Sequence, residues 1–270
     1  MKRLLSIELQ KIWKSRSSRI LTITYFVLLT SLALITTINF NFIGIDIRPA
    51  EIGIFNFPYI WHFNTYVAAV LKIFLAIVIV SMISNEYSYG TLKQNLIDGM
   101  TKKEFIISKF LTVLLFAVIS TIYIFIVTLL LGYSYSSYDE PSIVFSEMDY
   151  LAAYLIKLTA FFSFCLFLGV LIKRSAFAIG FFVVWAIAEQ IIINAFSIPK
   201  SVTLFLPLES MSNLIRQPFT RLEAYQQLEK LNGTAIVRDY GVHLSTMLIA
   251  IAWIVIFVLL SYKLLQKRDL

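Results

Sequence analysis

The stretch Asn85-Glu86-Tyr87-Ser88-Tyr89-Gly90-Thr91-Leu92-Lys93-Gln94 lies between two long apolar runs. Its polar and charged groups cannot rest in hydrocarbon, where each unpaired group costs several kcal/mol. The stretch therefore reads as a solvated elbow joining two membrane spans. The rest of the chain supports this. Of its 270 residues, 59% are hydrophobic and only 14% are charged, and the mean hydropathy is +0.81. Soluble domains carry roughly 25% charged residues. The fold class expected is an all-α integral membrane protein.

Crossing a hydrocarbon core of ~30 Å takes about 20 apolar residues in a helix. Six runs qualify, at about 20–40, 66–84, 105–133, 151–172, 176–198 and 243–262. Residues 20–270 are thus expected to form a single six-span domain. The first run is too long for a signal-peptide core and lacks a small-x-small cleavage pattern, so it is expected to be retained. Lys72 and Lys157 fall inside the second and fourth runs, near their outer ends, where long cationic side chains snorkel to headgroups.

Cations set the orientation. Fifteen lie in the segments assigned to the inner face, including Lys11, Lys14, Arg16, Lys93, Lys103, Lys109, Arg174 and Lys263, against six in the outer loops. This asymmetry places both termini in the cytoplasm of a cell, with a bacterial cytoplasmic membrane expected. The net charge of +7 follows from that bias, so nucleic acid is not expected as a partner; lipid is. The weakest point is the connection 199–242, which holds five bases.

Two segments outside the spans have helical order. Within 1–19, Leu5, Leu9, Ile12 and Trp13 share one helical face while Lys11 and Lys14 point elsewhere. That pattern suits an amphipathic helix in the inner headgroup layer. In the outer connection 199–242, Thr220 to Glu223 has a capping-box pattern, a helix is expected at about 221–231, and Asn232-Gly233 is its stop signal. Upstream, Val202 to Leu208 is apolar, too short to span, and flanked by Pro199 and Pro207. It suits a re-entrant dip into the outer leaflet.

Within the elbow, Ser84-Asn85 can cap a helix that opens at Glu86, whose acid suits a helix N-terminus. Leu92 and Leu96 make one apolar stripe, and Gly99 is a C-cap residue. Thr101 to Glu104 then forms a second capping box leading into the third span. A short surface helix over 86–98, fixed between two spans, is expected.

The order of these parts, with the motif Glu86-x-x-x-Gly90-Thr91-Leu92-Lys93 and its continuation from Gly99 to Lys109, resembles the permease subunit of type-2 ABC exporters. That family shares its membrane fold with the G subfamily of ABC transporters. The likeness covers the whole chain in layout and about 85–109 in motif. It implies that the elbow is a coupling helix docking on an ATPase, through Glu86, Tyr89, Gly90, Thr91, Leu92, Lys93 and Leu96. The outer connection departs from eukaryotic relatives in having no cysteine. No Gly-x-x-x-x-Gly-Lys-Ser/Thr segment occurs. ATP and Mg would therefore belong to a separate ATPase subunit in two copies, working with a second permease copy or a homologous permease. The chain itself is not expected to be an enzyme or to bind a cofactor.

Glu189 is the one acid deep in a span, and such a carboxylate is a functional candidate by default. Phe182, Trp185, Ile192 and Phe196 share its helical face. In the resembled family, the fifth span borders a central cavity, which implies a substrate path along this stripe for a hydrophobic or amphipathic molecule. The competing reading is a glutamate that locks helix packing. Likewise, the hydroxyls of the first span suit back-bonding and packing. Other functions remain open: an ion-coupled secondary transporter using Glu189 and Lys157, or a non-transporting anchor of an ATPase-linked complex. A membrane-embedded enzyme needs clustered polar groups, and His62 and His243 stand alone. No metal-ligand spacing involves them or Cys165.

Overall fold

The computed structural model describes residues 2–35, 40–42, 45–47, 53–231 and 238–268. Helix α1 (Lys2–Lys14) bends at Ser15 into α2 (Arg16–Ile35). Two three-residue strands, β1 (Phe40–Phe42) and β2 (Ile45–Ile47), pair antiparallel with Phe40 opposite Ile47. This small hairpin is the one departure from an all-helical chain among the described residues. Then come α3 (Tyr59–Val70), α4 (Lys72–Ser88), α5 (Thr91–Ile97), α6 (Lys102–Tyr135), the one-turn α7 (Pro141–Val144), α8 (Asp149–Ile172) and α9 (Ser175–Ala195). The connection 199–242 carries α10 (Lys200–Thr203), α11 (Pro207–Ser212), a 3-10 turn at Phe219–Arg221 and α12 (Glu223–Leu231). The last helix is α13 (Leu244–Gln266).

Among the described residues, four helical stretches are long and apolar enough to cross a membrane: Lys102–Tyr135, Pro141–Ile172, Ser175–Ala195 and Leu244–Gln266. The pair α3 and α4, bent by 43°, qualifies together as a fifth. The expected span 66–84 is thus longer at both ends and broken at Leu71. The helix α2 does not qualify. Three of its hydroxyls bond back to their own helix: Thr22 to Ser18 O, Thr30 to Phe26 O and Ser31 to Leu28 O. The expected span 20–40 also runs into 36–39, outside the described residues.

Helix α8 is the centre of the bundle, packed against α3, α4, α6, α9 and α13. Small residues let its neighbours close in. A Cβ on Gly169 would stand 3.0 Å from Ile83 Cβ. At the end of α6 far from the elbow, the space over Gly132 is filled by the ring of Phe57, whose Cζ would lie 2.1 Å from an added Cβ. Beside it, Trp61 is fully buried and its indole N–H donates to Val144 O at 2.7 Å. At the other extreme, α9 buries only Ala178 and Glu189.

Candidate functional site

The elbow is built differently from the expected single helix over 86–98. Helix α4 continues through Asn85 and Glu86 to Ser88, because nothing in that turn breaks its hydrogen-bond ladder. The break is Gly90, at φ +68, a conformation that favours glycine. The seven-residue α5 follows. It ends as expected at Gly99 (φ +95), where Gly99 N–H donates to Leu96 O and Met100 N–H to Asn95 O, the paired bonds of a Schellman motif. The capping box at Thr101 and Glu104 is present, with bonds of 3.1 and 2.9 Å.

Glu86 therefore sits at the C-terminal end of a helix, the unfavourable end for an anion. Cations compensate. Its Oε1 receives Lys109 Nζ at 2.7 Å and Lys11 Nζ at 2.8 Å. Its Oε2 receives the Thr91 hydroxyl at 2.5 Å and Asn95 Nδ2 at 3.4 Å. Lys109 also donates to Glu8 at 2.6 Å. Glu8, Glu86 and Lys109 are 4%, 3% and 0% exposed. One buried ion network thus ties α1, the end of α4, α5 and α6 together. On α1, Glu8 and Ile12 turn inward while Leu9 and Trp13 stay exposed. Lys11, expected to face elsewhere, reaches Glu86.

The seven residues expected to couple divide by exposure. Glu86 and Leu92 are buried, and Leu96 packs on the core. Thr91 is engaged by Glu86. These hold the elbow to the body. Gly90 supplies the turn. Tyr89, 77% exposed, and the exposed Lys93 face outward. Ile97, 70% exposed on the same short helix, was missed. Its signal was an apolar residue off the Leu92/Leu96 stripe. Glu8 and Lys109 were missed as well; an acid within a basic amphipathic helix was the available clue.

Deeper in the bundle, Glu189 is 6% exposed and does not face open space. Its Oε1 accepts from Glu209 N–H at 2.8 Å. Its Oε2 accepts from Leu208 N–H at 3.3 Å and from the Trp185 indole at 3.1 Å. Leu208 and Glu209 open α11, so the carboxylate caps the start of that helix, where an anion is favoured. Lys157 serves the other end. Its Nζ, in a side chain 4% exposed, donates to Ser212 O and Ile215 O, both at 3.3 Å. It is not snorkelling. Two ionisable side chains of α8 and α9 are thus set against the two ends of α11, within the connection expected to dip and return.

Of the expected path, Phe182 packs edge-on to Phe161, and Trp185 stacks edge-on to Phe164. Ile192 and Phe196 are 44% and 76% exposed. Phe182 packs on the core while Ile192 and Phe196 lie open, so the five differ in surroundings. A groove of about 600 Å³ on α9 is lined instead by Ala186, Ile187, Gln190, Ile191, Asn194 and Ala195.

Two of the bases of the connection 199–242, Arg221 and Arg238, are paired with acids. Arg221 forms a two-bond pair with Glu147 at 2.5 and 2.8 Å, and Arg238 does so with Glu229 at 2.6 and 2.7 Å. The Arg238 bonds hold the Glu229 carboxyl below its ordinary pKa. Thr220 does not cap a helix; it lies in the 3-10 turn and its hydroxyl accepts from Tyr240 OH at 2.8 Å. Helix α12 opens at Glu223, and the expected stop at Asn232-Gly233 lies outside the described residues. Among the described residues no cluster of three His, Cys, Asp or Glu could hold a metal.

Residues 38–270 match the family described as "Protein of unknown function (DUF2705)". The chain belongs to this family. The matched region takes in the elbow, α9 and the clamped α11, but not α1 with Glu8 and Lys11. The chain is also similar to the protein described as "Uncharacterized protein YhcI" of Bacillus subtilis (strain 168), at 22% identity over 221 residues. That similarity covers 73% of this chain and 64% of the relative's length. Neither description names an activity, so what this DUF2705 member does has to be argued from its site.

Proposed function

We propose that the chain is the membrane-spanning permease subunit of an ATP-driven ABC exporter, seated in the cytoplasmic membrane with both termini inside. The finer topology is six spans, with α2 as the first and the bent α3–α4 pair as the second. The observation that carries the reading is the elbow. A short helix joins two long apolar helices, is locked to them by a buried ion network, and presents Tyr89, Lys93 and Ile97 outward. A partner pushing on such a lever moves α4 and α6 rather than a loose loop. The partner is a separate ATPase, present twice, that supplies ATP and Mg; a second permease copy or a homologue completes the assembly. A hydrophobic or amphipathic substrate would then pass between permeases along α9, where Ile192 and Phe196 lie open.

The three hydrogen bonds on Glu189 weigh against an ion-coupled carrier built on that carboxylate, because its oxygens already have fixed donors. The decisive experiment is reconstitution in lipid with an ABC ATPase from the same cell. Complex formation and stimulated ATP hydrolysis are expected, with Tyr89→Ala and Ile97→Asp reducing both at unchanged membrane insertion. If both variants assemble and stimulate as the parent does, the elbow is not the docking site. Stimulation without transport of any amphipathic probe favours the anchor reading.

A further inference from the structure

The bend between α1 and α2 leaves a cleft of about 530 Å³ beside the elbow. Lys14, Arg16, Ser17, Ser18 and Asn85 line it. None of these five side chains has an ion-pair or hydrogen-bond partner among the described residues. Ser18, 3% exposed overall, lines the cleft, so its hydroxyl opens onto that space. The cleft's own acids cannot serve: Glu8 and Glu86 are taken by Lys109, Lys11 and Thr91. What remains is two cations and three neutral side chains that can donate, with no free carboxylate beside them. That chemistry recognises an anion with several oxygens, a phosphodiester above all.

The surroundings choose among phosphate sources. Leu9 and Trp13 on α1 and Ile20 and Ile23 on α2 are exposed apolar side chains on the two helices that form the cleft. Acyl chains have a surface there, which free phosphate does not need. We infer that the cleft between the α1–α2 bend and the elbow binds the headgroup of an anionic phospholipid of the inner leaflet. Lys14 and Arg16 meet the phosphate charge, and the Ser17, Ser18 and Asn85 groups complete its oxygens. Lys11, Glu86 and Thr91 line the same cleft, so an occupied site braces the ion network that anchors the elbow. The inference rests on the membrane placement with both termini inside proposed above and not on ATP coupling; a chain that engaged no ATPase would bind the lipid equally.

The test uses the purified full chain in detergent, with phosphatidylglycerol, phosphatidylcholine and inorganic phosphate as separate probes. Lipid retention is read by native mass spectrometry and stabilisation by thermal shift. Phosphatidylglycerol is expected to be retained and to raise Tm, while the other two do not. A Lys14→Gln/Arg16→Gln variant should keep the lipid-free Tm and retain phosphatidylglycerol at least about tenfold more weakly, given what each cation contributes at an anionic surface. Lys263→Gln, which removes another inner-face cation, should behave as the parent. Equal stabilisation by phosphatidylcholine, or by inorganic phosphate at the same concentration, overturns the proposal. So does undiminished retention by the double variant, or an equal loss in Lys263→Gln.

Discussion

Replacing Lys109 by Met removes the cation from the centre of the elbow's ion network and leaves its volume largely filled. The ammonium stands 2.6 Å from Glu8 and 2.7 Å from Glu86, with side-chain exposures of 0%, 5% and 3%. At an effective dielectric of about 20, each contact is worth about 6 kcal/mol gross. Desolvation of the ions offsets several kcal/mol per ion, and removing one partner of a buried pair costs about 3 to 5 kcal/mol net. Lys11 remains 2.8 Å from Glu86 and 3.9 Å from Glu8, so the lower end applies, about 3 kcal/mol. For a chain of this size that is a fall in Tm of roughly 6 to 12 °C. Thermal denaturation in one detergent measures it. Limited proteolysis should show earlier cleavage near Tyr89 and Gly90, where the elbow is released. Adding Glu8→Gln removes the stranded charge and should recover part of the loss, a coupling readable by a double-mutant cycle. A Lys109→Met protein that melts within about 2 °C of the parent, with unchanged elbow cleavage, refutes the network as the anchor.

Glu189→Leu should lower stability by about 1 to 3 kcal/mol for each backbone N–H left without an acceptor, Glu189→Gln by less, with transport per folded complex unchanged in both. A changed substrate preference in Glu189→Gln would return this residue to the transport path. Lys157→Met should destabilise through the same short helix, so combining it with Glu189→Leu should cost less than the two separate losses together; strict additivity would separate the two ends of α11. Gly132→Ala drives a methyl into the Phe57 ring and should cost about 1 to 3 kcal/mol, with Phe57→Leu restoring part in the double variant; a neutral Gly132→Ala would show that the ring is not held there. Single cysteines at 95, 174 and 267 should label only from the inside and at 140 and 226 only from the outside; labelling of 174 from outside would overturn the orientation.

The helical membrane class, the bounds of α6, α8, α9 and α13 to within a few residues, the capping box at Thr101 and the stop at Gly99 were legible in the sequence. Each rests on local physics: apolar run length against bilayer thickness, and side chains that satisfy the backbone of their own turn. The start of α5 was misplaced because Ser84 and Asn85 can cap a helix but need not, whereas Gly90 alone in that stretch adopts a positive φ without strain. Tertiary structure decided where the charges go. Glu8 and Lys109 are 101 residues apart, Lys11 and Glu86 are 75 apart, and Lys157 reaches Ile215 across 58. Glu189 was visible as a costly intramembrane acid, yet its role at the head of α11 was not. Periodicity along one helix records which face is apolar. It does not record which helix lies opposite, and a buried charge takes its meaning from the partner it finds there.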